Sequence, residues 1–198
     1  MRKSLACVVL FVAPLLAQSH LQGGAPVGGT GASVEASVGY AYLSMQLPSQ
    51  RIGLTGINAT GVVKIGWRWG AMVASTYAST ANVLNTGHGG SFLSVMAGPV
   101  YYLKASEKNE IFVHGLGGAS RVDAAVPTTG TQYLGGFVMH PSFAFGGGVE
   151  HYLFNSVAIR AQADYLHTTF ANSNDQLQGQ NNILLTTSIV YRFGRTAE

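Results

Sequence analysis

Residues Asn182 to Phe193, close to the end of the chain, read Asn-Ile-Leu-Leu-Thr-Thr-Ser-Ile-Val-Tyr-Arg-Phe. At the two-residue period of a β-strand, one face carries Ile183, Leu185, Thr187, Ile189, Tyr191 and Phe193. The opposite face carries Leu184, Thr186, Ser188, Val190 and Arg192. The first face is apolar and ends in two aromatic rings, whereas the second ends in a charge that requires water or a polar interior. One such strand fits a soluble sandwich as well as a barrel, so the rest of the chain must decide.

Seven earlier segments show the same alternation. Together with the last one they predict an all-β fold, an eight-stranded antiparallel up-and-down transmembrane β-barrel. The predicted strands cover residues 33–43, 60–69, 72–80, 91–103, 110–121, 136–152, 156–167 and 182–193. Pro99 lies inside the fourth segment. Because proline cannot donate to a β-ladder, we expect a bulge or a strand end at this position.

The connections between the predicted strands alternate in length. Those after the odd strands, residues 44–59, 81–90, 122–135 and 168–181, are long and polar or glycine-rich, and those after the even strands are short. Outer-membrane barrels have short periplasmic turns at one rim and longer external loops at the other. A soluble sandwich has no reason to alternate in this way, so the connections favour the barrel.

The composition also favours a membrane protein. Of 198 residues, 47% are hydrophobic, 26 are glycine and only 10% are charged, against about 25% charged in typical soluble domains. Without Arg2 and Lys3, which lie in a targeting segment, the chain has 11 − 2 = 9 basic and 8 acidic residues, a net charge of +1. This balance offers no basic surface for nucleic acid, and no nucleic-acid partner is expected.

The N-terminus has the pattern of a secretory signal peptide. Arg2 and Lys3 precede an apolar run from Leu5 to Leu16, and small residues follow at positions 17 and 19. The run is shorter than the roughly 20 residues that a membrane-spanning helix needs. Cleavage near residue 19 would remove Cys7, the only cysteine. We predict a signal peptide (1–19), a flexible glycine-rich lead-in (20–32), the barrel (33–194) and a short tail (195–198).

Aromatic residues cluster at the ends of the predicted strands, and this clustering predicts two girdles at the membrane surfaces. Toward the short turns lie Trp67, Trp69, Tyr101, Tyr102 and Tyr152, with Tyr191 and Phe193. Toward the long loops lie Tyr40, Tyr42, Tyr77 and Tyr165. Ordinary enrichment of aromatic residues in strands does not predict clustering by rim.

Charged residues on the predicted inner face suggest that ion pairs close the lumen. These residues are Glu35, Lys64, Arg68, Glu150, Arg160, Asp164 and Arg192. Their depths along neighbouring strands place Glu35 between Arg68 and Arg192, Glu150 beside Arg160, and Lys64 near Asp164. Side chains can fill the interior of an eight-stranded barrel, so a general diffusion pore is not expected.

Glycine-rich even strands, the segment Ala163-Asp164-Tyr165 and the closing Ile-Val-Tyr-Arg-Phe-Gly at 189–194 make this chain similar to a known family. It resembles the small outer-membrane β-barrels that include the OmpA transmembrane domain, over nearly everything after residue 19. The resemblance implies residence in the bacterial outer membrane, contact with its lipids and lipopolysaccharide, and insertion by the barrel assembly machinery. In this family that machinery recognises a last strand ending in an aromatic residue, which Phe193 would supply together with Tyr191.

Two features depart from the family pattern. Residues 194–198 follow Phe193, where many members stop. The chain also lacks the peptidoglycan-binding domain of OmpA, so we expect no cell-wall tether. The expected function is a structural or surface-interaction role with a side-chain-filled lumen. Alternatives are adhesion or ligand binding through the external loops, with an unknown external partner, and a small ion-conducting pore.

A further alternative is a lipid A-modifying hydrolase. Lipid A deacylases resemble this chain in strand number and use a His-x-Ser pair with a distant carboxylate. His140-Pro141-Ser142 has that spacing, and Glu150 could supply the carboxylate because period two places it on the same face. That face points into the lumen while acyl chains lie outside, so we expect no enzyme activity. The histidines lack metal-ligand spacing, and no metal or cofactor is predicted.

Overall fold

The computed structural model describes residues 33–47, 50–65, 68–83, 88–105, 108–127, 133–154, 156–171 and 177–193. The predicted signal peptide, lead-in and tail, as well as Trp67, lie outside these residues. The strands are β1 (Ser33–Gln46), β2 (Arg51–Ile65), β3 (Trp69–Thr80), β4 (Gly90–Ala105), β5 (Asn109–Pro127), β6 (Tyr133–Phe154), β7 (Val157–Ala171) and β8 (Leu177–Phe193). They form one closed antiparallel barrel in sequence order, which confirms the predicted fold. Within the described ranges, no helix is long and apolar enough to cross a membrane.

The two ends of the barrel differ in their connections. We call the end that holds Ser33 and Phe193 the turn end, because its connections (66–68, 106–108 and 155–156) have two or three residues. The opposite end, the loop end, has connections of four to nine residues (47–50, 81–89, 128–132 and 172–176). The loops are therefore shorter than predicted, and much of the segment 44–59 is strand. Outward residues at the loop end, such as Arg51 and Gly53, are polar or small, so no apolar alternation marks these strand ends.

The outer surface of the barrel is apolar. Large hydrophobic side chains point outward from every part of the sheet, and Ile57, Phe145 and Ile189 are 62, 64 and 63% exposed. The predicted faces of β8 are confirmed, because its outward set is exposed and its inward set is buried. Exposed apolar surface on this scale is unfavourable in water, whereas an apolar band is what the lipid-facing side of a membrane barrel requires.

Apolar side chains also fill much of the interior. A cluster of buried residues extends from Tyr102 and Phe112, near the turn end, to Met45 at the loop end. Phe92 and Leu166 within it are both 0% exposed. An eight-stranded barrel is narrow enough for side chains from opposite walls to meet, and here they pack into a core.

The strands are staggered around the barrel. A path that starts at Glu110 on β5 and passes from each residue to its partner on the next strand crosses all eight strands. It returns to β5 at Ser120, a displacement of 120 − 110 = 10 residues. Closing a tilted sheet requires such a displacement. A row of paired residues therefore climbs the barrel wall, and residues at equal depth along neighbouring strands do not lie at equal height.

Pro99 neither bends nor ends β4, and the prediction of a bulge or strand end there is wrong. Pro99 is paired with Ala71 of β3. On the other side of β4, Ala97 and Val100 both pair with β5, and the register is the same before and after Pro99. The two residues between them have no partner on β5. The missing proline amide thus interrupts one ladder locally, while the other ladder keeps the strand in place.

Several predicted girdle residues lie on the outer surface. Tyr40, Tyr42, Tyr77 and Tyr165 face outward toward the loop end, and Trp69 and Tyr101 do so at the turn end. The girdle prediction is wrong for Tyr102 and Tyr152, which point into the barrel and are 4% and 7% exposed. Adjacent residues of a strand face opposite sides, so Tyr102 cannot share the outward side of Tyr101. By the same rule Tyr152 shares the inner face of Glu150.

Candidate functional site

Six ionisable side chains meet inside the barrel near its turn end. They are Glu35 on β1, Lys64 on β2, Glu110 on β5, Glu150 on β6, Arg160 on β7 and Arg192 on β8. We call this group the basal charge cluster. The period of two residues brings each side chain to the inner face of its strand. Three carboxylates face three cations, so the formal charges cancel, as burial of ionised groups requires.

Glu35 lies at the centre of the basal charge cluster. Its carboxylate is 2.8 Å from Lys64 Nζ, 3.2 Å from Arg160 Nη2 and 2.6 Å from Arg192 Nη2. Arg192 also donates from Nε at 2.8 Å. Glu35 and Arg192 are direct partners in the pairing of β1 with β8, so this contact crosses the line along which the barrel closes.

Glu150 and Glu110 complete the cluster on the other side of the lumen. Arg160 donates to Glu150 from Nε at 2.9 Å and from Nη2 at 2.6 Å. Arg192 donates to Glu110 at 2.9 Å. The hydroxyl of Tyr152 lies 3.0 Å from Glu150 and 3.1 Å from Glu110, so its single proton can bond to either carboxylate. The tyrosine thereby links the two acidic residues.

Aromatic rings cover the three cations of the cluster. Lys64 Nζ is 4.1 Å from the centre of the Tyr102 ring, Arg192 Cζ is 4.3 Å from that of Tyr152, and Arg160 Cζ is 5.3 Å from that of Phe112. A cation over the face of a ring is attracted by its electron density, more strongly where water is excluded. These contacts give a physical reason for the inward orientation of Tyr102 and Tyr152.

The structure brings some of the predicted lumen charges together. Glu35 contacts Arg192, and Glu150 contacts Arg160. Arg68, in contrast, is exposed in the turn between β2 and β3, where it donates to the hydroxyl of Tyr101 at 3.0 Å. Since β2 ends at residue 65, the strand alternation that would place Arg68 inside stops before reaching it. The predicted lumen position of Arg68 is wrong.

The predicted neighbours Lys64 and Asp164 are not in contact. Lys64 pairs with Glu35 and Glu110, whereas Asp164 Oδ1 lies 3.0 Å from Nε2 of His114. The ten-residue stagger explains the error, because a count of residues along each strand does not give height in a tilted barrel.

Sequence reasoning missed two inward residues of β5, Glu110 and His114. Both lie an even number of residues from Leu116, which is buried in the core. The signal was therefore present in the period of two residues. The fifth predicted strand contains Gly115, Gly117 and Gly118, so its two faces differ little in polarity and neither was assigned to the lumen.

Carboxylate oxygens of Glu35, Glu110 and Glu150 lie within 4.8 Å of one another, close enough to hold a metal ion. Each carboxylate already contacts a lysine or arginine side chain. An added cation would have to displace these partners and would leave excess positive charge in a buried site. The geometry therefore favours an internal ion-pair network over a metal site.

His140, Ser142 and Glu150 share the inner face of β6 but are too far apart to act on one substrate atom. Ten residues separate His140 from Glu150, which corresponds to roughly 33 Å at about 3.3 Å per residue. Ser142 Oγ donates to the backbone oxygen of His140 at 3.3 Å, and Glu150 is held by Arg160. The three side chains do not form a catalytic group.

A row of polar residues climbs the inner wall from the basal charge cluster. The successive partners of Arg160 around the barrel are Ser188, Gly39, Asn58, Thr76, Ser94 and Ser120. Asn58 Nδ2 donates to Thr76 Oγ1 at 2.8 Å. The hydroxyl oxygens of Ser94 and Ser120 are buried and have no hydrogen-bond partner in the described part of the chain. Leaving a polar group in this state costs about 1–3 kcal/mol.

Comparison with known proteins shows similarity in structure. No protein-family model matches the sequence, and no curated protein matches it. Ail, the attachment invasion locus protein of Yersinia pestis, solved with the heparin analogue sucrose octasulfate, is 20% identical, with a TM-score of 0.58 over 82% of this chain and 99% of Ail. Neisserial surface protein A is 13% identical, with a TM-score of 0.63 over 84% and 100%. The outer membrane protein OprG from Pseudomonas aeruginosa is 11% identical, with a TM-score of 0.52 over 85% and 99%.

The closed eight-stranded barrel and its apolar outer face define a small β-barrel of the bacterial outer-membrane type. These similar structures share that fold, as their coverage shows. The chain is accordingly a protein of the bacterial outer membrane. In outer-membrane barrels in general, the short turns lie on the periplasmic side. Identities of 20% or less show the fold alone, so they do not transfer a ligand or an activity.

Proposed function

We propose that this protein is a closed, non-conducting barrel with a structural or surface-interaction role in the outer membrane. The observation that carries the proposal is the filled lumen. The basal charge cluster occupies the turn end, and buried apolar side chains such as Phe92 and Leu166 occupy the space beyond it. A hydrated ion would have to separate buried ion pairs and cross an apolar layer, and both steps are costly. The alternative of a small ion-conducting pore is therefore disfavoured.

Planar-bilayer recording tests the closed lumen. The unmodified barrel, inserted after its fold is checked by the different gel mobility of boiled and unboiled samples, should show no large steady conductance. A matched control is the same barrel carrying Phe92→Gly and Leu166→Gly, which removes apolar bulk from the lumen on the loop-end side of the basal charge cluster while leaving the charges. Steady channel currents in the unmodified protein would show that the lumen is open and that the proposal is wrong.

A surface-interaction role is supported by the β5–β6 hairpin. The β4–β5 pairs end at Ala124, whereas β5 and β6 continue to pair up to Pro127 and Tyr133. The hairpin thus projects past its β4 neighbour at the loop end, which faces the cell exterior.

Since Ail was solved with a heparin analogue, sulfated sugars are a reasonable first class of ligand to test. Replacing residues 128–132 by a two-residue turn should abolish binding to sulfated sugars if this hairpin carries it, and equal shortening of 172–176 serves as the control.

We also propose that the barrel has no hydrolase activity. The separation of His140 and Ser142 from Glu150 along β6 supports this conclusion. Lipopolysaccharide incubated with the folded barrel should release no acyl chains. Release that is lost in His140→Ala would contradict the proposal and restore the enzyme alternative.

A further inference from the structure

Three polar side chains meet inside the barrel on the loop-end side of the basal charge cluster. His114 on β5 and Asp164 on β7 are both paired with Gly146 on β6, the strand between them. Because Gly146 has no side chain to separate them, Nε2 of His114 lies 3.0 Å from Oδ1 of Asp164. Gln162 is the next inward residue of β7 toward the turn end. We call His114, Gln162 and Asp164 the mid-lumen site.

The mid-lumen site holds more unpartnered acceptors than donors. His114, Asp164 and Gln162 are 2, 4 and 6% exposed. Oδ1 of Asp164, Oε1 of Gln162 and both ring nitrogens of His114 have no hydrogen-bond partner among the residues that the structure describes. The 3.0 Å contact between Nε2 and Oδ1 is thus short without being aligned as a hydrogen bond. Since buried polar atoms are normally satisfied, these four point to a bound species that takes up their lone pairs.

The negative charge of Asp164 is not balanced in the way that the carboxylates of the basal charge cluster are. Each of those carboxylates contacts a lysine or arginine, whereas the one side chain that pairs with Asp164 within the described ranges is His114. Asp164 is seven residues from each end of β7 (164 − 157 = 7 and 171 − 164 = 7), or roughly 23 Å along the strand. The connections at the two rims are too distant to supply a cation. A bound cation would therefore displace no arginine or lysine here.

The three side chains also have the chemistry and spacing of metal ligands. Zinc binds imidazole nitrogen and carboxylate oxygen at about 2.0–2.2 Å, so two such atoms on one ion lie roughly 3.0–3.5 Å apart. The 3.0 Å between His114 and Asp164 fits this spacing. Gln162 Nε2 donates to Oδ2 of Asp164 at 2.6 Å, and the ring of Phe112 stacks on His114 with centroids 5.9 Å apart. Such neighbours orient ligands before an ion arrives.

We propose that the mid-lumen site binds a divalent transition-metal ion of the zinc class. Nε2 of His114, Oδ1 of Asp164 and the amide oxygen of Gln162 are its protein ligands, and water takes the fourth position. The imidazole favours zinc, nickel or copper over magnesium or calcium. Zinc-bound water releases a proton near neutral pH, which balances the charge that Asp164 leaves over. Because the site is buried, the ion enters while the barrel folds.

Zinc retention by the folded barrel tests the proposal. The barrel refolded in detergent with zinc sulfate, freed of unbound ion by gel filtration and analysed by elemental mass spectrometry, should hold about one zinc ion per chain. His114→Gln and Asp164→Asn should each lower the zinc affinity at least about tenfold. His167→Gln is the matched control, because it makes the same substitution on the outer face of β7; its affinity should stay within about twofold.

The remaining outcomes also decide for or against the site. If His114→Gln and Asp164→Asn do not fold, as judged by unboiled gel mobility, Gln162→Leu removes the third ligand and should lower the affinity about tenfold. Zinc that is lost in Glu110→Gln but kept in the mid-lumen variants would place the ion at the basal carboxylates and overturn the proposal. A parent barrel that retains no zinc would show that the mid-lumen site is an ion pair only. Neither result depends on the conductance of the lumen.

Discussion

Arg192 on the last strand contacts Glu35 on the first through two nitrogen atoms, at 2.8 Å from Nε and 2.6 Å from Nη2. Both side chains are buried. Of the eight strand pairs in the barrel, β1 with β8 is the one that no connecting turn joins. This ion pair therefore strengthens the closure that depends entirely on non-covalent contacts.

Removing Glu35 should destabilise the barrel strongly. Glu35→Ala leaves three buried cations facing two carboxylates, and an uncompensated buried charge typically costs about 3–5 kcal/mol. Urea unfolding in lipid vesicles, followed by tryptophan fluorescence, should show a lower midpoint. Asp123→Ala is the control, because Asp123 and its partner Arg121 are exposed and such pairs contribute about 0–1 kcal/mol.

Adding a second change should then recover part of that loss. Glu35→Ala combined with Arg192→Ala restores equal numbers of positive and negative groups in the cluster, so the double variant should be more stable than Glu35→Ala alone. The same urea titration measures the coupling between the two sites. Strictly additive losses would show that these two residues do not interact.

Replacing Ser94 by alanine should stabilise the protein. The Ser94 hydroxyl is buried without a partner in the described part of the chain, and its removal should raise the unfolding free energy by about 1 kcal/mol. Ser37→Ala is the matched control, because Ser37 Oγ lies 2.5 Å from Thr60 Oγ1 and its loss should destabilise by a similar amount. A loss of stability in Ser94→Ala equal to that in Ser37→Ala would indicate that Ser94 is satisfied in solution.

Adding a side chain at Gly146 on β6 should destabilise the barrel. A Cβ at this position would lie 2.0 Å from Asp164 Oδ1 and 2.4 Å from the Ala163 backbone oxygen. Gly146→Ala must therefore displace backbone, and a cost of about 1–3 kcal/mol is expected from overpacking. Gly61→Ala, on the outer face with no atom within 4 Å of its Cβ, should change stability by less than about 0.5 kcal/mol. Equal effects of the two substitutions would contradict the packing described around Asp164.

Phe193 should contribute to assembly more than to stability or activity. Its ring contacts Tyr191 edge to face, with centroids 4.7 Å apart, at the end of the closing strand. We expect Phe193→Ala to lower the amount of folded protein in the outer membrane of expressing cells, measured by unboiled gel mobility. Phe145→Ala, which removes an outward ring of β6 that is 64% exposed, is the control for lost lipid contact. Unchanged insertion of Phe193→Ala would remove the support for an assembly signal.

Periodicity in the sequence was sufficient to predict the barrel but not the pairing inside it. The strands β7 and β8 carry apolar residues on one face and polar ones on the other, so their orientation follows from the period of two. The loop ends of β1 and β2 were missed because outward residues there do not need to be apolar. Partners such as Lys64 and Glu110 depend on the stagger, which is a property of the closed sheet and leaves no local pattern in the sequence. The contact between Glu35 and Arg192 was predictable because β1 and β8 are neighbours and both residues lie near the turn end of their strands.

The basal charge cluster also bears on how the strands find their alignment. A slip of one residue between two strands turns every side chain to the wrong face, and the apolar pattern alone opposes it. A slip of two residues keeps all faces correct, so hydrophobicity hardly distinguishes it from the native alignment. Such a slip between β1 and β8 would move Glu35 about 7 Å from Arg192, so each of these buried side chains would lose one charged partner. The buried ion pairs thus favour the native alignment over one that is shifted by two residues.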